Sequence, residues 1–181
     1  MSLDTVRALL AQHAPADASE AASLARINDL LDTSSEPFSR EHFVPGHLTA
    51  SGIVINPERS KTLLIFHAKL QRWLQPGGHF EPGENDPAIA AAREVLEETG
   101  VQTRAPVPRA QLLDVDAHEI PARKNAPAHI HFDLRMLLLA DDKDCTLTLS
   151  EVTDARWAGA NEFPALKLDP GTLRALKKCG L

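Results

Sequence analysis

Tyrosine is absent from this sequence, cysteine occurs twice, and the aromatic content stops at six phenylalanines and two tryptophans. Cys145 and Cys179 have no motif spacing, which argues against a disulfide framework or a zinc site and for two reduced thiols. Long apolar runs are lacking as well. The longest aliphatic stretch, Met136 to Ala140, falls far short of the ~20 residues that span a bilayer. Met-Ser-Leu-Asp at the start offers neither a basic n-region nor an apolar h-region, so the expectation is a cytoplasmic protein with no membrane partner. A basic stripe is missing too, and the net charge of −6 argues against nucleic acid backbones as partners while leaving nucleotides open. The apolar content suffices for one core, and 181 residues divide naturally into one domain and an extension.

What the chain does have, concentrated in one place, is acid. Between Gly77 and Val101 it reads GGHFEPGENDPAIAAAREVLEETGV. At about 100° per residue of helix, Glu94, Glu97 and Glu98 fall within an arc of roughly 100° on one face. Ile89, Ala92 and Leu96 fall on the opposite side, which predicts a helix that buries that stripe and presents the acids to a cleft. Carboxylates spaced three and four apart repel, each pair costing an isolated helix roughly 0.2–0.5 kcal/mol. A divalent cation removes that cost. Hard oxygen ligands clustered in this way suit Mg²⁺ or Mn²⁺, and Mg²⁺ takes phosphate oxygens among its remaining ligands, so the expected partner is a small phosphate compound. The plainer reading is a solvated acidic face with Arg93 paired to Glu97.

Upstream, Gly77-Gly78 leads into Gly83-Glu84 and reads as a tight glycine-rich turn whose backbone can approach an ion or a phosphate closely. Asp86 is placed to cap a helix that has Pro87 at its first position. Gly78, Glu84, Arg93, Glu94, Val95, Glu97, Glu98, Gly100 and Val101 together resemble the signature box of the Nudix hydrolases. One departure stands out: eight residues separate Glu84 from Arg93, where the box has seven. Either Glu84 keeps its register with Gly78, or the extra residue shifts its role; the Glu94/Glu97/Glu98 geometry is untouched in both cases.

The resemblance implies an α/β fold, a Nudix-like α/β/α sandwich with a mixed β-sheet, over residues 46–181. It also implies Mg²⁺-dependent (or Mn²⁺-dependent) hydrolysis of a pyrophosphate bond in a nucleoside diphosphate linked to another moiety. Glu94, Glu97 and Glu98, with a backbone carbonyl near Gly78, would be the metal ligands, and Arg93 would orient the acids. The general base would be Glu97, Glu98, or a glutamate outside the box, with Glu119, Glu151 and Glu162 as candidates. A non-catalytic, nucleotide-binding Nudix module with a regulatory role is the alternative. A Nudix-fold isomerase would want a cysteine near the cleft, and neither cysteine lies near the box in sequence.

Elsewhere, strands are expected at His47 to Asn56, Lys61 to His67, Ala110 to His118, His129 to Leu139 and Glu151 to Trp157, and a helix after the Asp169-Pro170 cap. Residues 1–45 read as a helical extension. Leu3 to Gln12 and Ala18 to Leu31 would form a hairpin, with Leu24, Ile27, Leu30 and Leu31 on one stripe, packed on the domain or on the second subunit of a homodimer. It could border the substrate cleft.

A second polar cluster alternates along two strands: Asp114, Asp116 and His118 on one, His129, His131 and Asp133 on the next. If those strands pair, one sheet face gathers imidazoles beside carboxylates, which could hold a second metal, orient a phosphate or supply an acid or base. The plainer reading is a solvent-facing sheet side. His129 and His131, with Arg123 and Lys124 in the intervening loop, are therefore candidate substrate-binding residues. Markers of particular Nudix substrates are missing. Dinucleoside polyphosphate hydrolases tend to carry a downstream tyrosine, ADP-ribose enzymes a proline about where this chain has Asp116-Ala117, and coenzyme A enzymes a motif that fails at Ile65-Phe66-His67.

Overall fold

A computed structural model describes residues 3–104, 111–124, 126–147 and 152–181. The fold is α/β: a mixed, curled sheet with helices on both sides. Strand β1 (Gly46–Ile55) is its centre and is buried along its whole length. It runs parallel to β6 (His129–Leu139) from Gly46↔Ile130 to Ile55↔Leu139. Its other edge is shared: β4 (Gly77–His79) pairs antiparallel with Thr49 to Ser51, and β2 (Lys61–His67) joins at Ile55↔Thr62. β5 (Leu112–Ile120) extends the sheet beyond β6, and β3 (Arg72–Leu74) and β7 (Val152–Gly159) both pair with β2.

The expected strands are found within about two residues of their predicted ends, as element boundaries generally are; Ala110 and Glu151 lie outside the described residues. β3 and β4 were not expected. Gly77 and Gly78 are strand rather than turn, and the turn falls later, at Glu81 to Glu84, closed by Glu84 N–H to Glu81 O at 3.0 Å. The glycines serve close approach. A Cβ on Gly77 would lie 2.4 Å from the Ser51 Cβ.

Two cores flank the sheet. On one side α1 (Asp4–Ala11), α2 (Ala18–Thr33) and α3 (Pro87–Thr99) cover Leu48, Ala50, Val54, Phe132, Leu134 and Met136. On the other, α4 (Phe163–Leu166) and α5 (Pro170–Lys178) cover Ile53, Ile55, Leu64 and Leu113. Helix α3 starts as predicted, Asp86 Oδ1 accepting from Ala88 N–H at 2.9 Å. Its buried stripe differs from the expectation: Ala88, Ala91 and Val95 face the sheet, while Ile89 and Leu96 are 45% and 48% exposed. Small side chains let the helix sit close over β1, so the acids flank the buried stripe at about a quarter turn rather than opposing it.

The N-terminal helices pack on this same chain. Ile27, Leu30 and Leu31 join the core, and Glu20 is wholly buried. Its carboxylate accepts from Ala16 N–H at 2.6 Å, meets His13 Nε2 at 2.7 Å, and pairs with Lys178 of α5. Burial alone would raise the Glu20 pKa, but these bonds outweigh it and hold it at about 2. No helix among the described residues is long and apolar enough to cross a membrane.

Candidate active site

Arg93 organises the acidic face. Its Nε and Nη2 donate to the two oxygens of Glu84 at 2.9 and 3.0 Å, and Nη1 donates to Glu94 at 2.9 Å and Glu97 at 3.0 Å. Nη2 also donates to the His79 carbonyl at 2.8 Å, tying helix α3 to strand β4. The eight residues between Glu84 and Arg93 still bring the two together, and the planar guanidinium receives a bidentate carboxylate. Burial works against an ionised Glu84, yet the Arg93 bonds hold its carboxyl below the usual range. Glu94 is shifted the other way. Its burial, helped by the neighbouring Glu97 and Glu84 charges, outweighs Arg93 and raises its pKa.

Strand β4 supplies the floor. Gly77 N–H donates to Glu98 Oε2 at 3.0 Å, which fixes the one box glutamate that is buried. A Cβ on Gly78 would come within 2.6 Å of Glu94 Oε1, so the carboxylate rests against the bare main chain. Three carboxylates thus meet one guanidinium and a fourth meets the strand's N–H, and every donor atom these carboxylates offer is a hard oxygen. The set fits a small divalent cation of the Mg²⁺ class.

Two of these carboxylates, Glu94 and Glu98, line a cleft of about 290 Å³, whereas Glu84, Arg93 and Glu97 lie outside its lining. Glu94, Glu98, Gly77 and Gly78 form one wall, and Thr49, Ser51, Asp133, His131 and His118 form another. Arg123 reaches its rim, and Ile65, Leu70, Leu74 and Ile120 are its apolar contribution. Of the second polar cluster seen in the sequence, His118, His131 and Asp133 line the same cleft as Glu94 and Glu98, while Asp114 is buried against Arg135 and Arg174. β5 and β6 do pair, with His118 opposite His131 and Asp116 opposite Asp133. Asp133 is saturated: Thr49 Oγ1 donates at 3.1 Å, Ser51 Oγ at 2.7 Å, Gln75 Nε2 at 3.4 Å and Arg135 Nε at 3.3 Å. It is a positioning group.

The remaining predicted residues are dispersed. Lys124 is exposed and does not line the cleft. His129 is buried beside it, its Nδ1 2.8 Å from the Pro127 carbonyl. Glu119 lines a separate depression with Phe43 and Pro121, and Glu162 pairs with Arg156 and accepts from Gly159 N–H at 2.9 Å; neither borders the cleft, and Glu151 lies outside the described residues. Sequence reasoning missed His47 and His79. Their rings lie 5.1 Å apart, and His131 lies 4.9 Å from His47 and 5.1 Å from His79. Burial and the neighbouring imidazoles push the His131 pKa down to about 2, so it stands in the cleft as a neutral base. The signal was present in the period-two alternation of His47, Thr49 and Ser51 along β1, which read simply as a buried strand.

The NUDIX domain pattern matches residues 46–179, which takes in this cleft entire. The chain belongs to the Nudix hydrolase family. It is also 30% identical over 146 residues to the CMP-5'-(N-acetyl-N-hydroxy-3-aminopropyl)phosphonate hydrolase of Streptomyces rubellomurinus, a match covering 77% of this chain and 65% of that protein. This chain thus spans just under two thirds of that relative's length. Solved structures with the Nudix fold include the NUDIX domain of Shewanella oneidensis NrtR in complex with ADP-ribose, at TM-score 0.58 and 16% identity, covering 84% of this chain and 96% of that one. A NUDIX-family hydrolase from Clostridium perfringens aligns at TM-score 0.54 and 22% identity, covering 74% and 96%.

Proposed function

We propose that this Nudix domain hydrolyses the pyrophosphate-type bond of a nucleoside diphosphate linked to another moiety, with Mg²⁺ or Mn²⁺ as cofactor. The observation that carries this reading is the Arg93 clamp: one guanidinium holds Glu84, Glu94 and Glu97 while Gly77 N–H holds Glu98, so a helix face that should repel itself is pinned over a bare glycine strand. Glu94, Glu97, Glu98 and the Gly78 main chain would hold the cation. Bound there, it would supply positive charge against the diphosphate oxygens.

The chain's own groups do the rest. Arg93 and Glu84 fix the acids before substrate arrives, so no reorganisation is needed during reaction. Arg123, exposed at the rim, supplies positive charge to the distal phosphate. Water attacks one phosphorus in line, the bridging P–O bond breaks, and a box carboxylate, Glu97 or Glu98, accepts the water's proton. No Phe or Trp lines the cleft among the described residues, so the base or leaving moiety meets Ile65, Leu70, Leu74 and Ile120. We read residues 1–45 as a helical extension packed on a domain of residues 46–181, and place the protein in the cytoplasm, in keeping with unpaired Cys145 and Cys179.

The test is product release from a panel of nucleoside triphosphates, nucleotide sugars, ADP-ribose, dinucleoside polyphosphates and CMP-linked phosphonates, with Mg²⁺ or Mn²⁺ and with chelator. Turnover of one class that chelation abolishes supports the hydrolase. Nucleotide binding with no turnover across the panel would instead assign a regulatory module.

A further inference from the structure

Five of the eight histidines gather at one end of the sheet: His47 on β1, His79 on β4, His118 on β5, and His129 and His131 on β6. Their rings touch in a chain of contacts 4.9 to 5.7 Å between centroids. Three of them do more than touch. One ring nitrogen from each of His47, His79 and His131 lies within 4.8 Å of the others. Tetrahedral zinc with imidazole ligands needs nitrogens about 3.3 Å apart, given Zn–N bonds of ~2.0–2.1 Å, so the set must draw in by up to about 1.5 Å to close on an ion. The three strands that carry these residues are hydrogen-bonded neighbours, with β1 between β4 and β6, so the backbone spacing is fixed.

His47 supplies the decisive detail. It is 1% exposed, its Nδ1 lies 3.0 Å from the His42 carbonyl, and its Nε2 is buried with no hydrogen-bond partner. Burying an unpaired polar nitrogen is costly, and no group among the described residues offsets it. An imidazole whose Nδ1–H donates to a backbone carbonyl and whose Nε2 lone pair is left over has the tautomer and anchoring of a metal ligand. The flanking rings are anchored in the same manner, His129 by the Pro127 carbonyl at 2.8 Å and His118 by Asp116 at 3.0 Å.

We infer that His47, His79 and His131 form a nitrogen-donor site for one divalent transition-metal ion of the zinc class, separate from the carboxylate site on α3. Imidazole nitrogens suit Zn²⁺ or Co²⁺ and discriminate against Mg²⁺, whereas the box carboxylates are hard oxygen donors that accept Mg²⁺. His79 and His131 both line the cleft, so the ion's open position faces the same substrate space as Glu94 and Glu98. The inference does not depend on the hydrolase reading: metal can bind here whether or not the cleft turns anything over.

The test uses Co²⁺ as a spectroscopic probe of the full chain, freed of metal and held in excess Mg²⁺ to occupy oxygen sites. One equivalent of Co²⁺ should bind with the intense visible bands of a four-coordinate nitrogen site. Those bands should vanish in His131→Ala and in the conservative His79→Gln, each confirmed as folded by circular dichroism, and should persist in Glu98→Gln. Absence of the bands in the wild-type protein would overturn the site, as would their survival in either histidine variant or their loss in Glu98→Gln. Silence in the hydrolysis panel with the bands intact would refute the proposed reaction and leave this site standing.

Discussion

Replacing Arg93 by lysine keeps one positive charge and removes the fork. Arg93 is 19% exposed and donates to Glu84 twice, to Glu94, to Glu97 and to the His79 carbonyl. The Glu97 bond contributes little, because that side chain is 43% exposed and its pairing is screened by solvent. Of the remaining charge-assisted bonds, each worth about 1.5–3 kcal/mol, a lysine ammonium can satisfy one carboxylate at a time. The expected loss is therefore about 2–4 kcal/mol, or roughly 5–15 °C in Tm for a chain of this size. Glu94 and Glu84, released from a common partner, should misplace the acids by enough to lower kcat on the order of 10²-fold. Adding Mg²⁺ should recover more Tm in Arg93→Lys than in the wild type, since the cation replaces part of the missing charge. Thermal melts with and without Mg²⁺, beside steady-state rates, check this. A Tm within a degree of wild type and an unchanged kcat would refute the claim that Arg93 holds the acidic face together.

Three further outcomes separate the parts. Gly78→Ala pushes a methyl into the flexible end of Glu94, so stability should hold while the Mg²⁺ concentration for half-maximal rate rises about 10–100-fold; Gly77→Ala meets the Ser51 Cβ and backbone instead, and should lose stability first. Thermal melts and Mg²⁺ titration of both variants distinguish the two. Glu20 has a folded pKa of about 2 against an ordinary 4.5, so its contribution is full above pH 4.5 and is lost as pH falls toward 2, on the order of 3 kcal/mol in all. Urea midpoints across that window should fall steeply in the wild type and flatten in Glu20→Gln. Arg123→Ala should raise KM with little change in kcat, because an exposed rim arginine binds substrate and transition state alike.

Much of this was legible in the chain because local chemistry and global fold agree. Asp86-Pro87 and Asp169-Pro170 both start helices where capping chemistry places them, and Lys61–His67 and His129–Leu139 carry enough β-branched and aliphatic residues to declare themselves as strands. The carboxylate spacing put the acids on one side of α3, where Glu94 and Glu98 line the cleft and Glu97 does not, but it misjudged what lies behind them. Val95 approaches within 2.8 Å of where a Cβ on Gly52 would stand, so the helix buries its alanines and Val95 and leaves Ile89 and Leu96 outside. Three-residue strands such as β3 and β4 carry no periodic signal, and paired glycines read as a turn until the opposing Ser51 is known. The histidine cluster was half visible. His118, His129 and His131 share a phase along two strands, but His47 and His79 join them only because β1 pairs in parallel with β6 and antiparallel with β4, contacts between residues far apart in sequence.

The central claim, that the carboxylate face performs metal-dependent hydrolysis, is tested most directly by Glu98→Gln. The glutamine oxygen can still accept the Gly77 N–H, so the fold should persist, while a charged ligand is lost. With the substrate class that the panel identifies, at saturating Mg²⁺, the account predicts a rate lower by about 10²–10⁴-fold with nucleotide binding retained. A variant that turns over within a few-fold of the wild type would contradict it.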